Sequence, residues 1–143
     1  MWHWLVMGGV ALFAGASASR KAKQRIAEQA WHQALPRRLG LMLVDLDRNA
    51  ELRDVEQSAK ALAGSAVFTF YEAAGVQDFA GLMTHLRGAD SAERQRIESA
   101  VVGKLVDGLP IDADPIFATR EIRRALNGAG QEAMNAARKS KHL

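Results

Sequence analysis

The sequence predicts an all-α protein, a single N-terminal transmembrane helix followed by a compact bundle of five or six short helices. Three observations lead there. Trp2 to Ser19 contains no Asp, Glu, Lys or Arg. Beyond it, apolar residues recur three or four positions apart, the period of a helix with one buried face. The connections between these periodic segments are about two to six residues long, which favours antiparallel helical neighbours. On this organisation the chain divides into a transmembrane anchor at 1–19, a basic juxtamembrane helix at 20–36, a helical domain at 37–128 and a basic C-terminal tail at 129–143.

The anchor reads WHWLVMGGVALFAGASAS. As a helix these residues span about 27 Å, close to the hydrocarbon thickness of a bilayer. Leu5, Val6, Val10, Leu12 and Phe13 carry the apolar surface, and Trp2 and Trp4 suit the headgroup level at one end. Arg20, Lys21, Lys23 and Arg25 follow at once, placed to meet lipid headgroups, and the positive-inside rule puts them on the cytoplasmic face. The expected location is a membrane of the bacterial inner type, with the N-terminus outside and the domain cytoplasmic. Two other readings stay open: Ala16-Ser17-Ala18 has the form of a signal-peptidase site, and the segment could be a buried core helix. Ala11, Gly15 and Ser19 form a row of small residues that would let such a helix pack against another copy or another membrane protein.

Composition narrows the chemistry. The chain of 143 residues has no cysteine, so disulfides, thiol catalysis and cysteine zinc sites are excluded. Charge is uneven. Residues 20–39 hold six Lys and Arg against Glu28, residues 40–119 hold seven against thirteen carboxylates, and residues 120–143 hold six against two. A basic neck and tail suit the anionic inner leaflet.

Taken in order, Ile26, Ala27, Ala30, Trp31, Ala34 and Leu35 keep a helical register that Pro36 should end. A second helix is expected from about residue 49 or 50 to Leu62, with Leu52, Val55, Ala59 and Leu62 on one face and Gly64 as its cap. Val67 to Tyr71 has strand propensity, but Ala-rich neighbours favour a short buried helix, broken at Gly75. Val76 to Leu86 marks the next helix, stopped by Gly88. Asp90 with Glu93 resembles a capping box ahead of Ile97, Val101 and Leu105. Asp114-Pro115 is an N-cap followed by proline at the first helical position, ahead of Ile116, Thr119, Ile122 and Leu126. Asn127-Gly128 should end that helix, leaving a weakly helical tail that frays.

One stretch has the pattern of a cation site. From Asp45 to Glu56, oxygen side chains stand at loop positions 1, 3 and 5 (Asp45, Asp47, Asn49), and Glu56 stands at position 12, where an EF-hand places a bidentate carboxylate. With Glu51 these residues could hold a divalent cation such as calcium. Position 6 is Ala50 where the loop wants glycine. The competing reading is structural: Asp45, Asp47 or Asn49 caps the following helix. The stretch Leu39 to Leu62, LGLMLVDLDRNAELRDVEQSAKAL, also resembles the TerB-like tellurite-resistance family. That resemblance implies a small all-helical domain, membrane-tethered in some members, with metal held by Asp45, Asp47 and Glu56.

The four histidines lie far apart, and no phosphate-binding loop, dinucleotide fingerprint or nucleophile elbow is present, so no enzyme activity is expected. Arg120, Arg123, Arg124, Arg138, Lys139 and Lys141 have no interleaved aromatic residue, which gives nucleic-acid stacking no support. The expectation is a membrane-anchored adaptor or accessory subunit that binds membrane lipid and a protein partner, or itself, through the transmembrane helix. A calcium-type sensor domain and a phage or mobile-element membrane or virion component are the alternatives.

Overall fold

The structure, a computed structural model, describes residues 17–49 and 51–140. Among these residues it holds five α-helices and no strand: α1 (Ser17–Leu46), α2 (Leu52–Ala74), α3 (Phe79–Gly88), α4 (Ser91–Asp107) and α5 (Pro115–Lys139). The expected span at 2–19 lies outside the described residues, apart from Ser17 to Ser19 at the start of α1. Among the described residues no helix is long and apolar enough to cross a membrane.

Helix directions follow from a few contacts. α1 and α2 are joined by a tight turn, and Gly40 of α1 faces Val55 and Ala59 of α2. Arg96 of α4 donates to the carbonyl of Ala73 in α2 at 2.6 Å, while Gly108, past the end of α4, faces Leu62. Arg123 of α5 meets Glu98 of α4 at 3.0 Å. Each pair is antiparallel, so α1 and α4 run one way and α2 and α5 the other. α5 lies along α1 in the most extensive helix pairing of the fold, fixed by Arg37 and Arg38, which both hold Glu132.

The core is built from the faces that the apolar period marks. Ala27, Trp31, Ala34, Leu35, Leu39, Met42 and Leu43 line the buried side of α1. Trp31, Phe70 and Phe79 bring α1, α2 and α3 together at one end, with Trp31 centroids 5.4 and 5.5 Å from the other two rings. Buried rings in tilted or edge-on contact add to the burial term itself.

Local signals set several ends as expected. Asp90 Oδ1 accepts from the Glu93 N–H at 2.8 Å, and Asp114 Oδ2 accepts from Phe117 at 3.2 Å with Pro115 at the first position. Gly75 ends α2 at φ 69°, where a Cβ would be strained. Val76 donates to the Tyr71 carbonyl and Gly75 to that of Glu72, the paired bonds of a Schellman motif.

Four expectations are corrected. Pro36 does not end α1, which runs through it to Leu46. The turns on both sides are clamped by buried Ala34, Leu35 and Leu39, so burial offsets the lost backbone bond. Gly64 does not cap a helix at 62, because α2 continues through it to Ala74. Asn127-Gly128 does not end α5, and the segment from 129 does not fray. Ala129, Gly130, Ala133, Met134 and Ala137 are buried, a small-residue face that lets α5 approach α1 closely. Finally, Leu52 is 70% and Ile116 78% exposed, so neither is buried with the apolar residues that share its helical spacing.

Candidate functional site

The acidic stretch does not gather as a cation shell. Asp45 is an exposed residue in the last turn of α1, and Glu56 is exposed on α2. Between them Asp47 Oδ1 accepts from the backbone N–H of Asn49 at 3.1 Å, closing a local turn. Glu51 occupies the N-cap position of α2 without a side-chain capping bond, so the caps expected from Asp45, Asp47 or Asn49 are not made. Among the described residues no three His, Asp or Glu side chains converge to hold a metal ion. The five side chains instead spread along two helices and the turn between them, because α1 overruns the loop's first two positions.

Arg20, Lys21, Lys23 and Arg25 fall on the first turns of α1, ahead of Ala27. From Arg20 to Ile26 no side chain is buried.

A concave apolar surface lies elsewhere, between α1 and α2. Pro36, Gly40, Leu41 and Val44 of α1 face Leu52, Val55 and Ala59 of α2 across a groove of about 340 Å³. A second hollow of about 480 Å³ continues it along Leu35, Ala63, Gly64, Val67, Phe68 and Tyr71. Pro36 and Lys60 border both, so the two form one trough. Its walls include four of the large apolar side chains left in water: Leu41 at 59%, Val44 at 39%, Leu52 at 70% and Phe68 at 63% exposure.

Sequence explains each part. Gly40 and Gly64 lack side chains where the helices face the trough, and Pro36 leaves the helical surface without a long side chain there. The rim is polar: His32, Arg37, Glu56 and Lys60 border it, with Arg37 held by Glu132 and His32 3.8 Å from Glu28. Burial, with the Glu28 and Asp78 carboxylates nearby, pushes the Tyr71 phenol up to about 12, so it stays a neutral hydrogen-bonding group at neutral pH.

Sequence reading missed this trough. Periodicity places Leu52 with Val55 and Ala59 on one helix face, and the Ala-rich surroundings of Phe68 point to a buried segment. The available signal was the surplus: α2 carries more large apolar residues than one buried stripe can take.

A network on the opposite side of α2 has a structural role. Glu93 accepts from Arg96 at 2.6 Å and pairs with His85 at 2.7 Å, tying α3 to α4. Arg96, then His85, hold the Glu93 carboxyl down to about 2. His85 is thus engaged by Glu93.

No protein-family model matches the chain, and no curated protein or solved structure matches it. The fold and the trough define the class at a physical level: an antiparallel helical bundle with an exposed apolar face.

Proposed function

We propose that this chain is a membrane-tethered, non-catalytic adaptor whose α1–α2 trough holds an amphipathic helix of a partner protein. The carrying observation is a pair of adjoining hollows with exposed apolar side chains, Leu41, Val44 and Leu52 in one and Phe68 in the other, meeting at Pro36 and Lys60. A monomer seldom leaves four large apolar side chains around one hollow unless something covers them. From Leu52 to Tyr71 the trough follows nineteen residue steps of α2, about 28 Å, the length of a helix of five turns. A helix of that length would insert side chains spaced three and four apart. Lys60, which borders both hollows, favours an acidic residue beside those anchors. Tethering rests on the uncharged stretch 2–19 and its basic neck, with the N-terminus outside and the bundle on the cytoplasmic face.

The test is photocrosslinking in cells, with a photoreactive residue at Leu41, Leu52 or Phe68 and a control at exposed Gln131 of α5. The expected result is adducts from the three trough positions to one helix of another protein, at anchor sites three or four apart, and none from the control. Adducts only between copies of this chain, or none, would overturn the reading. Carbonate extraction of the tagged full chain tests the tether separately.

A further inference from the structure

The antiparallel pairing of α1 and α5 creates a charged surface that neither helix has alone. Glu132 lies between Arg37 and Arg38. Counting outward in opposite directions, Lys139 at the end of α5 lies beside the part of α1 near Trp31. The last turn of α5 therefore points the same way as the start of α1, although more than a hundred residues separate them in the chain. Arg138 and Lys139 are exposed there, in the last turn of α5. Arg20, Lys21, Lys23 and Arg25 lie beyond them on α1, and Glu28 is the one carboxylate between Arg20 and Trp31. Among the described residues these six cations make no ion pair.

The other end of the bundle has the opposite sign. The α1–α2 turn and its flanks, 45–56, and the α4–α5 connection, 107–114, hold eight carboxylates against Arg48 and Arg53. From Arg25 to Leu46, α1 rises about 32 Å. That separation exceeds the roughly 8 Å screening length of physiological salt, so each end presents its own field.

We propose that the Arg20–Arg25 and Arg138–Lys139 end of the bundle seats on an anionic bilayer surface, holding the acidic α1–α2 turn away from it. The inference rests on the reading of 2–19 as a membrane tether, which brings this end to the lipid. Charge complementarity then sets orientation: the cations meet anionic headgroups, and the carboxylates at the far end are repelled. Seated this way, the bundle stands with α1 and α2 upright and the trough open to the side. Each cation at the surface is worth about fivefold in partitioning.

The experiment uses the full chain with phosphatidylcholine vesicles, with and without phosphatidylglycerol. The absence of native cysteine allows one dye at Ser140→Cys, at the basic end, or at Asp112→Cys, at the acidic end. Energy transfer to an acceptor on the lipid headgroup reads distance. The expected result is strong transfer from the position 140 dye and weak transfer from the position 112 dye on anionic vesicles. Arg138→Gln with Lys139→Gln, which leaves the four cations of α1, should weaken partitioning onto anionic vesicles about 25-fold and lower the first toward its level on neutral vesicles. Both substituted residues are exposed, and circular dichroism checks that the bundle is unchanged. Equal transfer from both dyes, no dependence on anionic lipid, or tighter binding to a double-stranded DNA fragment than to anionic vesicles would overturn the proposal. Failure of the tether reads differently: the chain would then leave neutral vesicles on flotation and still show charge-dependent seating on anionic ones.

Discussion

Trp31 meets Phe70 edge-on, ring centroids 5.4 Å apart and planes 66° from parallel, and through that contact α1 is keyed to the C-terminal half of α2. Phe79 packs on the same indole at 5.5 Å, so one side chain joins three helices. Trp31 is 1% exposed. Trp31→Ala should cost about 3–5 kcal/mol, because the surrounding rings cannot collapse into the volume left behind. Trp31→Phe keeps one ring and should recover part of that loss. Urea unfolding followed by far-UV circular dichroism checks both without relying on Trp2 and Trp4 as reporters.

Glu93 makes stability depend on acid in a defined window. Arg96 and His85 hold its folded pKa down to about 2, below the ordinary carboxylate value of about 4.3. A group depressed in the folded state contributes stability above its unfolded pKa and loses it as pH falls through the folded one. The contribution is therefore complete above about pH 5 and fades between there and about pH 2. Glu132, lowered chiefly by Arg38 and also by Arg37, titrates with the same sign. Glu93→Gln should be less stable than wild type at neutral pH, and the difference should shrink on acidification. Urea midpoints of the two proteins at several pH values decide this; a constant difference would contradict it.

How much of this was legible in sequence depends on how local each signal is. Asp90, Asp114 and Gly75 act within one helical turn, and all three were readable. Pro36, Gly64 and Gly128 are also local breakers, yet helices run through each of them. What overrides them is tertiary: Leu35 and Leu39 pin α1 around Pro36, and α5 past Gly128 is held by Ala129, Ala133 and Ala137 against α1. Alanines that look like a weak tail in sequence are contacts once a partner helix lies on them. The trough was hidden for a related reason. Periodicity says which residues share a face, as Leu52 shares one with Val55, but not where the neighbouring helix stops covering it. The acidic stretch misled in the other direction, since loop spacing means little when α1 extends through Leu46, the second position of the supposed loop.

Pro36 offers a direct measure of that override. Its ring removes the N–H that would reach the His32 carbonyl in the middle of α1. Pro36→Ala restores the bond while releasing some entropy to the unfolded chain, for a net gain of about 1–2 kcal/mol. Denaturant unfolding should show a higher midpoint with an unchanged slope. A lower midpoint would mean that the proline ring's own packing at the trough outweighs the backbone bond.

Arg38 and Gly128 should behave as a coupled pair. The Arg38 side chain crosses directly over Gly128 on its way to Glu132, and a Cβ at residue 128 would collide with the guanidinium and its δ-carbon. Gly128→Ala alone sets two effects against each other: a helix-propensity gain of about 1 kcal/mol and displacement of Arg38 from its carboxylate. A half-exposed ion pair of this kind is worth up to about 1 kcal/mol, so the single change should be close to neutral. In an Arg38→Ala background nothing obstructs the methyl group, and the same substitution should stabilise by most of the helix term. A double-mutant cycle in urea should therefore give a coupling of about 0.5–1 kcal/mol between residues distant in sequence. Additive effects would mean that Arg38 finds a second route to Glu132, leaving Arg37 and the small-residue packing to hold α5 against α1.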